Sequence, residues 1–175
     1  MQHIITKFGG TSVSSRETWD NILDITQHHR SMGLQPIIIC SALTQASNKL
    51  EQMTEAALFN RHQPVFDELM HDYHTLAHQL AVDTTLINNE KQALEQWLTG
   101  IALLGHAPAK TRAQILSVGE LMMTRLGHAF LTQQGLSTLW FDARESLITT
   151  PVANLTEMNY LAARCDGLAL SLIHI

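Results

Sequence analysis

Hydrophobic and polar positions change rhythm along the chain, and each change marks an element. Ile4, Ile5 and Phe8 run into Gly9 and Gly10, the pattern of a short strand broken by a glycine turn. A helix is predicted next. Ser14 with Glu17 three positions on forms a capping-box pattern, Trp19, Ile22 and Leu23 make an apolar stripe, and Gly33 ahead of Pro36 is a stop signal. Residues 36–42 then carry Ile37, Ile38, Ile39 and Cys40 without polar alternation, which predicts a strand covered on both faces, as in a parallel sheet. Strand, helix and strand in succession form a βαβ unit, so the fold class is α/β with a right-handed crossover.

From residue 47 to about residue 135 strong helix formers dominate, and Gly and Pro retreat to a few break points. Helices are predicted over 47–60, 63–81, 88–104 and 110–134, separated by Pro64, the polar run 83–89 and the stretch 105–108. Strand character returns at 139–142, helix at 155–164, and a last apolar strand at 168–175. No internal repeat or low-complexity tract interrupts the pattern.

Composition changes this picture only by exclusion. Hydrophobic residues make up 45% and charged residues 15% of 175 positions, which suits one folded domain rather than a disordered segment. The net charge is −5 with histidine neutral, and no Lys/Arg block could lie along a nucleic acid or an anionic membrane. Anionic small molecules remain possible ligands through backbone N–H groups, helix N-termini and single lysines. Cys40 and Cys165 stand in neither a C-x-x-C pair nor a zinc spacing, so a reducing cytoplasm is expected, without disulfide or structural zinc. The first residues lack the basic region and cleavage site of a signal peptide, and no segment reaches the roughly 18 apolar residues of a membrane span.

Candidate chemistry concentrates where the first strand gives way to helix, at Lys7-Phe8-Gly9-Gly10-Thr11-Ser12. Two glycines let the backbone approach a ligand, Lys7 offers a cation, and Thr11 and Ser12 offer hydroxyls near a helix start, so the segment suits phosphate. It is not a Walker A loop, because the lysine precedes the glycines. Taken alone, it reads equally well as a tight turn entering a capped helix.

The wider string decides between these. Lys7-Phe8-Gly9-Gly10-Thr11-Ser12-Val13 resembles the opening signature of the aspartate kinases, whereas acetylglutamate, glutamate and carbamate kinases begin similarly but lack Thr-Ser-Val. Ser41-Ala42-Leu43 with Ser47-Asn48-Lys49-Leu50 resembles the family's serine-rich substrate loop, with Gln45 and Ser47 where many members carry Gly and Thr. The Ser-Asn form resembles the kinases fused to diaminopimelate decarboxylase. Gly119-Glu120-Leu121-Met122 resembles the family's Gly-Glu segment, and residues 140–144, Trp-Phe-Asp-Ala-Arg, its strand and turn after the helical insertion.

The resemblance implies the amino-acid kinase fold, carbamate kinase-like: a three-layer αβα sandwich on a mainly parallel sheet, with a helical insertion at about 47–134. It implies ATP with Mg²⁺ as cofactor and L-aspartate as substrate. In that reading Lys7 is catalytic, Lys7, Gly9, Gly10, Thr11 and Ser12 bind ATP phosphates, and Ser41, Ser47 and Glu120 bind aspartate. The family's Gly-Arg-Gly-Gly-Ser-Asp segment and regulatory domains are not matched, so residues 1–175 are expected to be the N-terminal portion of one kinase domain. A homo-oligomer is expected of the full-length protein.

Other candidates are weaker. His71, His74 and His78 share one predicted helical face, but without H-E-x-x-H or a fourth ligand a solvated face is the simpler reading. Met122 and Met123 read as core packing, and neither cysteine has a neighbouring base for nucleophilic catalysis. Two competing readings stay open: another amino-acid kinase with a different substrate, and a non-catalytic effector-binding module.

Overall fold

The structure, a computed structural model, describes residues 2–149 and 165–168. Strand β1 (Gln2–Phe8) leads through a 3₁₀ turn, Gly10–Val13, into helix α1 (Arg16–Ser31), and strand β2 (Leu34–Cys40) follows. Four helices come next: α2 (Ala46–Ala57), α3 (Gln63–Leu80), α4 (Asn88–Leu104) and α5 (Ala109–Gln133). Strands β3 (Leu147–Thr149) and β4 (Cys165–Leu168) pair antiparallel, with a register irregularity between Ile148 and Thr149.

β1 and β2 pair in parallel from Gln2 opposite Leu34 to Phe8 opposite Cys40, which completes the expected βαβ unit. Burial alternates along both strands. Phe8, Ile38 and Cys40 turn toward the helices, whereas Ile5, Ile37 and Ile39 are 67%, 45% and 48% exposed. The expectation that β2 is covered on both faces therefore fails among the described residues. An unbroken apolar run records how hydrophobic a strand is, but not whether a second layer lies over it. α1 and α5 both pack against β2.

Helix ends follow local chemistry. The cap of α1 is Ser15, not Ser14: Ser15 Oγ accepts from the Thr18 N–H at 3.3 Å, and Thr18 Oγ1 accepts from the Ser15 N–H at 3.1 Å. Ser14 is consumed by the preceding 3₁₀ turn, where its hydroxyl donates to the Thr11 carbonyl at 3.0 Å. Gly33 ends the helix at φ 76°, as its stop signal predicts. Pro64 sits in the first turn of α3, where its missing N–H costs nothing. Gly105, at φ 70°, closes α4.

Leu50 and Met53 of α2, Leu69, Tyr73 and Leu76 of α3, Leu94 and Leu98 of α4, and Met122, Met123, Leu126 and Phe130 of α5 form one buried cluster. Each fully buried Leu or Met adds roughly 2 kcal/mol of apolar transfer energy. Trp19 joins α1 to this core, its ring edge-on to Phe130 at 6.1 Å and its Nε1 donating to the Val13 carbonyl at 3.0 Å.

Residues 139–142 are not a strand among the described residues. Strand character needs a partner edge to hydrogen-bond, and here side chains hold the segment instead. Trp140 Nε1 donates to Thr124 Oγ1 at 3.0 Å, and Asp142 caps the 3₁₀ turn Ala143–Glu145. Of the predicted strand at 168–175, only Leu168 lies in β4; the rest, and the predicted helix 155–164, lie outside the described residues.

Candidate functional site

Because β1 and β2 run parallel and in register, their C-terminal ends open side by side, the usual ligand edge of an α/β sheet. The Ser41 N–H donates to the Phe8 carbonyl at 3.0 Å, which extends the ladder by one bond and starts both loops at the same level. Gly10 is where the loops touch. A Cβ there would sit 3.1 Å from the Ala42 carbonyl oxygen and 3.3 Å from the Thr44 nitrogen, so a side chain would push the second loop away.

The second loop turns into α2 at Gln45, which adopts φ 68°. This is the left-handed region that favours glycine. The Gln45 side chain accepts from Asn48 Nδ2 at 2.5 Å, which helps hold the strained turn. From the other side α5 presses against the loop at Gly119, where a Cβ would lie 2.7 Å from Ala42 Cβ. That close approach carries Glu120 to the loop.

The result is a cleft of about 380 Å³ lined by Gly10, Thr11, Ser41, Leu43, Gln45, Ser47 and Glu120, together with Ala42 and Thr44. Five of the residues singled out in the sequence thus share one cleft. Lys7, near the end of β1, and Gly9 and Ser12, in the turn that follows, are not part of its lining. The Lys7 amine folds over Gly9, 3.7 Å from where a Cβ would stand, and the Ser12 N–H donates to the Gly9 carbonyl at 2.9 Å. Gly10 and Thr11 open the 3₁₀ turn, so their N–H groups have no partner inside it.

Thr44 carries no expectation from the sequence and Gln45 only one as a departure from glycine, although both lie between the two halves of the serine-rich segment, and a polar run after an apolar strand is a usable signal. Lys49, four residues on, is a different matter. Its amine binds Asp72 at 2.6 Å and Glu68 at 2.7 Å. Burial pulls the Lys49 pKa down, but the hydrogen bonds to Asp72 and Glu68 outweigh it and leave the pKa raised. That cation ties α2 to α3 and does not serve the cleft.

Elsewhere a shallow depression of about 440 Å³ lies along the outer face of α4, between Gln92, Glu95, Thr99 and Leu103. One helix builds it, so nothing closes over a ligand there. His71, His74 and His78 do lie on α3, and burial, with help from Lys91 and the other two histidines, lowers the His74 pKa. Among the described residues no group of three His, Cys, Asp or Glu side chains could hold a metal ion. Cys40 is a buried thiol whose pKa burial pushes up to about 12, which rules it out as a nucleophile near neutral pH. No described helix is long and apolar enough to cross a membrane.

The model of the amino acid kinase family matches residues 2–166. The chain belongs to the amino acid kinase family. Among curated relatives of this family member, chloroplastic aspartokinase 2 of Arabidopsis thaliana is 31% identical over 175 residues, 97% of this chain and 31% of the relative. Lysine-sensitive aspartokinase 3 of Escherichia coli (strain K12) is 26% identical over 172 residues, 97% of this chain and 37% of the relative. The chain thus spans about a third of the length of these relatives. Among solved structures it is similar to E. coli aspartokinase III in complex with aspartate and ADP, with a TM-score of 0.73 and 23% identity over 85% of this chain and 33% of that one. The same enzyme in complex with lysine and aspartate gives a TM-score of 0.66 at 24% identity, covering 85% and 33%. These likenesses establish that the chain has the amino acid kinase fold.

Proposed function

We propose that the whole protein is an aspartate kinase, which transfers the ATP γ-phosphoryl group to the β-carboxylate of L-aspartate and yields 4-phospho-L-aspartate, and that this chain supplies the aspartate cleft and one side of the phosphate site. The convergence of Gly10, Thr11, Ser41, Ser47 and Glu120 on one cleft carries the reading. The aspartokinase relatives and the E. coli structure with aspartate and ADP support it.

The chemistry asks little of a base. A β-carboxylate is ionised at neutral pH, so the protein's task is to align two anions and absorb charge at the transferring group. Glu120 suits the substrate ammonium, and the Ser41 and Ser47 hydroxyls suit its carboxylates. The Lys7 amine and the N–H groups of Gly9, Gly10 and Thr11, with the Thr11 and Ser12 hydroxyls, would serve the phosphate side. Mg²⁺ would neutralise phosphate charge. It would enter on the nucleotide, as this hard cation commonly does. We place the reaction in the cytoplasm, since two cysteines in neither a C-x-x-C pair nor a zinc spacing suit a reducing compartment.

The test is acyl phosphate formation by the whole protein, trapped as the hydroxamate. Glu120→Gln should raise the KM for aspartate by roughly 10- to 100-fold and leave that for Mg-ATP nearly unchanged. Lys7→Met should lower kcat by about 10²-fold or more. Wild-type protein that prefers acetylglutamate or glutamate in a substrate panel would point to another amino acid kinase, and protein that binds neither aspartate nor Mg-ATP would point to a non-catalytic module. The chain of 175 residues alone should form little or no hydroxamate.

A further inference from the structure

Three elements meet beside the cleft at a single hydroxyl. Tyr73 projects from α3 into the core and is fully buried. Its Oη donates to the Gly119 carbonyl at 2.9 Å and accepts from the Leu43 N–H at 3.4 Å, the longer and weaker of the two bonds. Gly119 immediately precedes Glu120, and Leu43 lies in the loop between Ser41 and Ser47. One phenol oxygen therefore spans the two halves of the proposed aspartate site.

Helix packing does not require that oxygen. The Gly119 carbonyl lies inside α5, where the helical ladder already provides a donor, and a phenyl ring would fill the same buried space. A Cβ on Gly119 would stand 3.4 Å from Oη and 2.7 Å from Ala42 Cβ, so the hydroxyl sits where the helix and the loop come closest. Burial raises the phenol's pKa far above its ordinary 10, the Leu43 hydrogen bond opposes this, and the Glu120 charge adds to it. The hydroxyl thus keeps its proton, and its donation to Gly119, at any physiological pH.

We propose that Tyr73 is a positioning residue for the amino-acid substrate: its hydroxyl sets the separation between the loop that carries Ser41 and Ser47 and the helical turn that carries Glu120. The proposal rests on the aspartate-kinase reading. The phosphate side should feel a change at Tyr73 less, because the turn at Gly9 and Gly10 hangs from β1 and the bond from the Ser41 N–H to the Phe8 carbonyl anchors the start of the loop beside it.

Steady-state kinetics of the whole protein with Tyr73→Phe should show the KM for aspartate raised about three- to tenfold, the range expected for one lost hydrogen bond. The KM for Mg-ATP should stay within about twofold. Ile101→Val, a core trim in α4 away from the cleft, should lower Tm without moving either KM. A Tyr73→Phe protein that loses thermal stability but keeps its KM for aspartate would overturn the proposal, as would an equal rise in both KM values. Hydrogen exchange supplies a readout that needs no substrate: the Leu43 amide should exchange several-fold faster in Tyr73→Phe, and unchanged exchange would sink the positioning role. Absence of aspartate phosphorylation in the wild type would instead defeat the aspartate-kinase reading, with the exchange measurement still deciding what the hydroxyl holds.

Discussion

Gln45 and Gly127 illustrate opposite ways in which one residue can disagree with its backbone. At φ 68° Gln45 carries a side chain where glycine is at ease, at a cost of roughly 1 kcal/mol, offset in part by its bond to Asn48. Gln45→Gly is therefore expected to hold or raise Tm by up to about 3 °C in thermal denaturation, and Gln45→Val, β-branched at positive φ, to lower it. Gly127 lies inside α5, where alanine should gain about 1 kcal/mol by helix propensity. Space forbids that gain, because a Cβ would come within 1.9 Å of the Trp19 ring. Gly127→Ala should cost at least about 2 kcal/mol on denaturant unfolding, and a neutral result would mean that Trp19 has another rotamer available. The glycine usual at position 45 in the resembled family is thus explained by local geometry, whereas nothing near residue 127 in the sequence announces the tryptophan.

At the scale of elements, α4 and α5 are joined by an ion pair as well as by packing. Arg125 Nε donates to Glu90 Oε1 at 2.5 Å, its guanidinium lies 4.0 Å from the centroid of the Trp140 ring, and Glu90 is only 7% exposed. Removing the arginine strands a buried carboxylate whose second oxygen already has no partner among the described residues. Arg125→Ala should cost about 3 kcal/mol, and the double variant Glu90→Leu with Arg125→Met should recover most of it, because two apolar side chains leave no charge behind. A double variant no more stable than Arg125→Ala would contradict this account. The four long helices were legible from periodicity and break points to within a few residues. The strand expected at 139–142 was not, since Trp140, Phe141 and Leu139 satisfy strand preferences without showing whether an edge stands ready to pair.

For the whole molecule, pH reaches the fold through histidines held neutral. Burial keeps the pKa of His128 below its ordinary 6.5, and burial with nearby positive charge does the same for His74. A histidine with a depressed folded pKa binds more protons unfolded than folded, so its stability contribution is full above 6.5 and is lost as pH falls through the folded value. Unfolding midpoints should therefore decline from pH 7 toward pH 5, and His128→Gln should flatten part of that decline; a flat wild-type profile would contradict it. Sequence by itself determined what is local: the glycine turn after β1, the stop signals of the helices, and the residue types able to hold a phosphate or an ammonium; the cap of α1 fell one residue later than its pattern, at Ser15. Periodicity also selected the apolar faces of the helices, because the helical period follows from backbone geometry alone, whereas the unbroken apolar run of β2 left its buried face unmarked. Tertiary structure alone decided which of those residues meet. Glu120 shares a cleft with Ser41 and Ser47 because Gly119 lets α5 press against Ala42, Lys7 stands near that cleft at the end of β1 because the β1–β2 register aligns the strand ends, and Tyr73 enters from a helix with no local signal for it. Those separations come from interhelical packing, which is summed over many distant contacts and leaves no mark on spacing within any one segment.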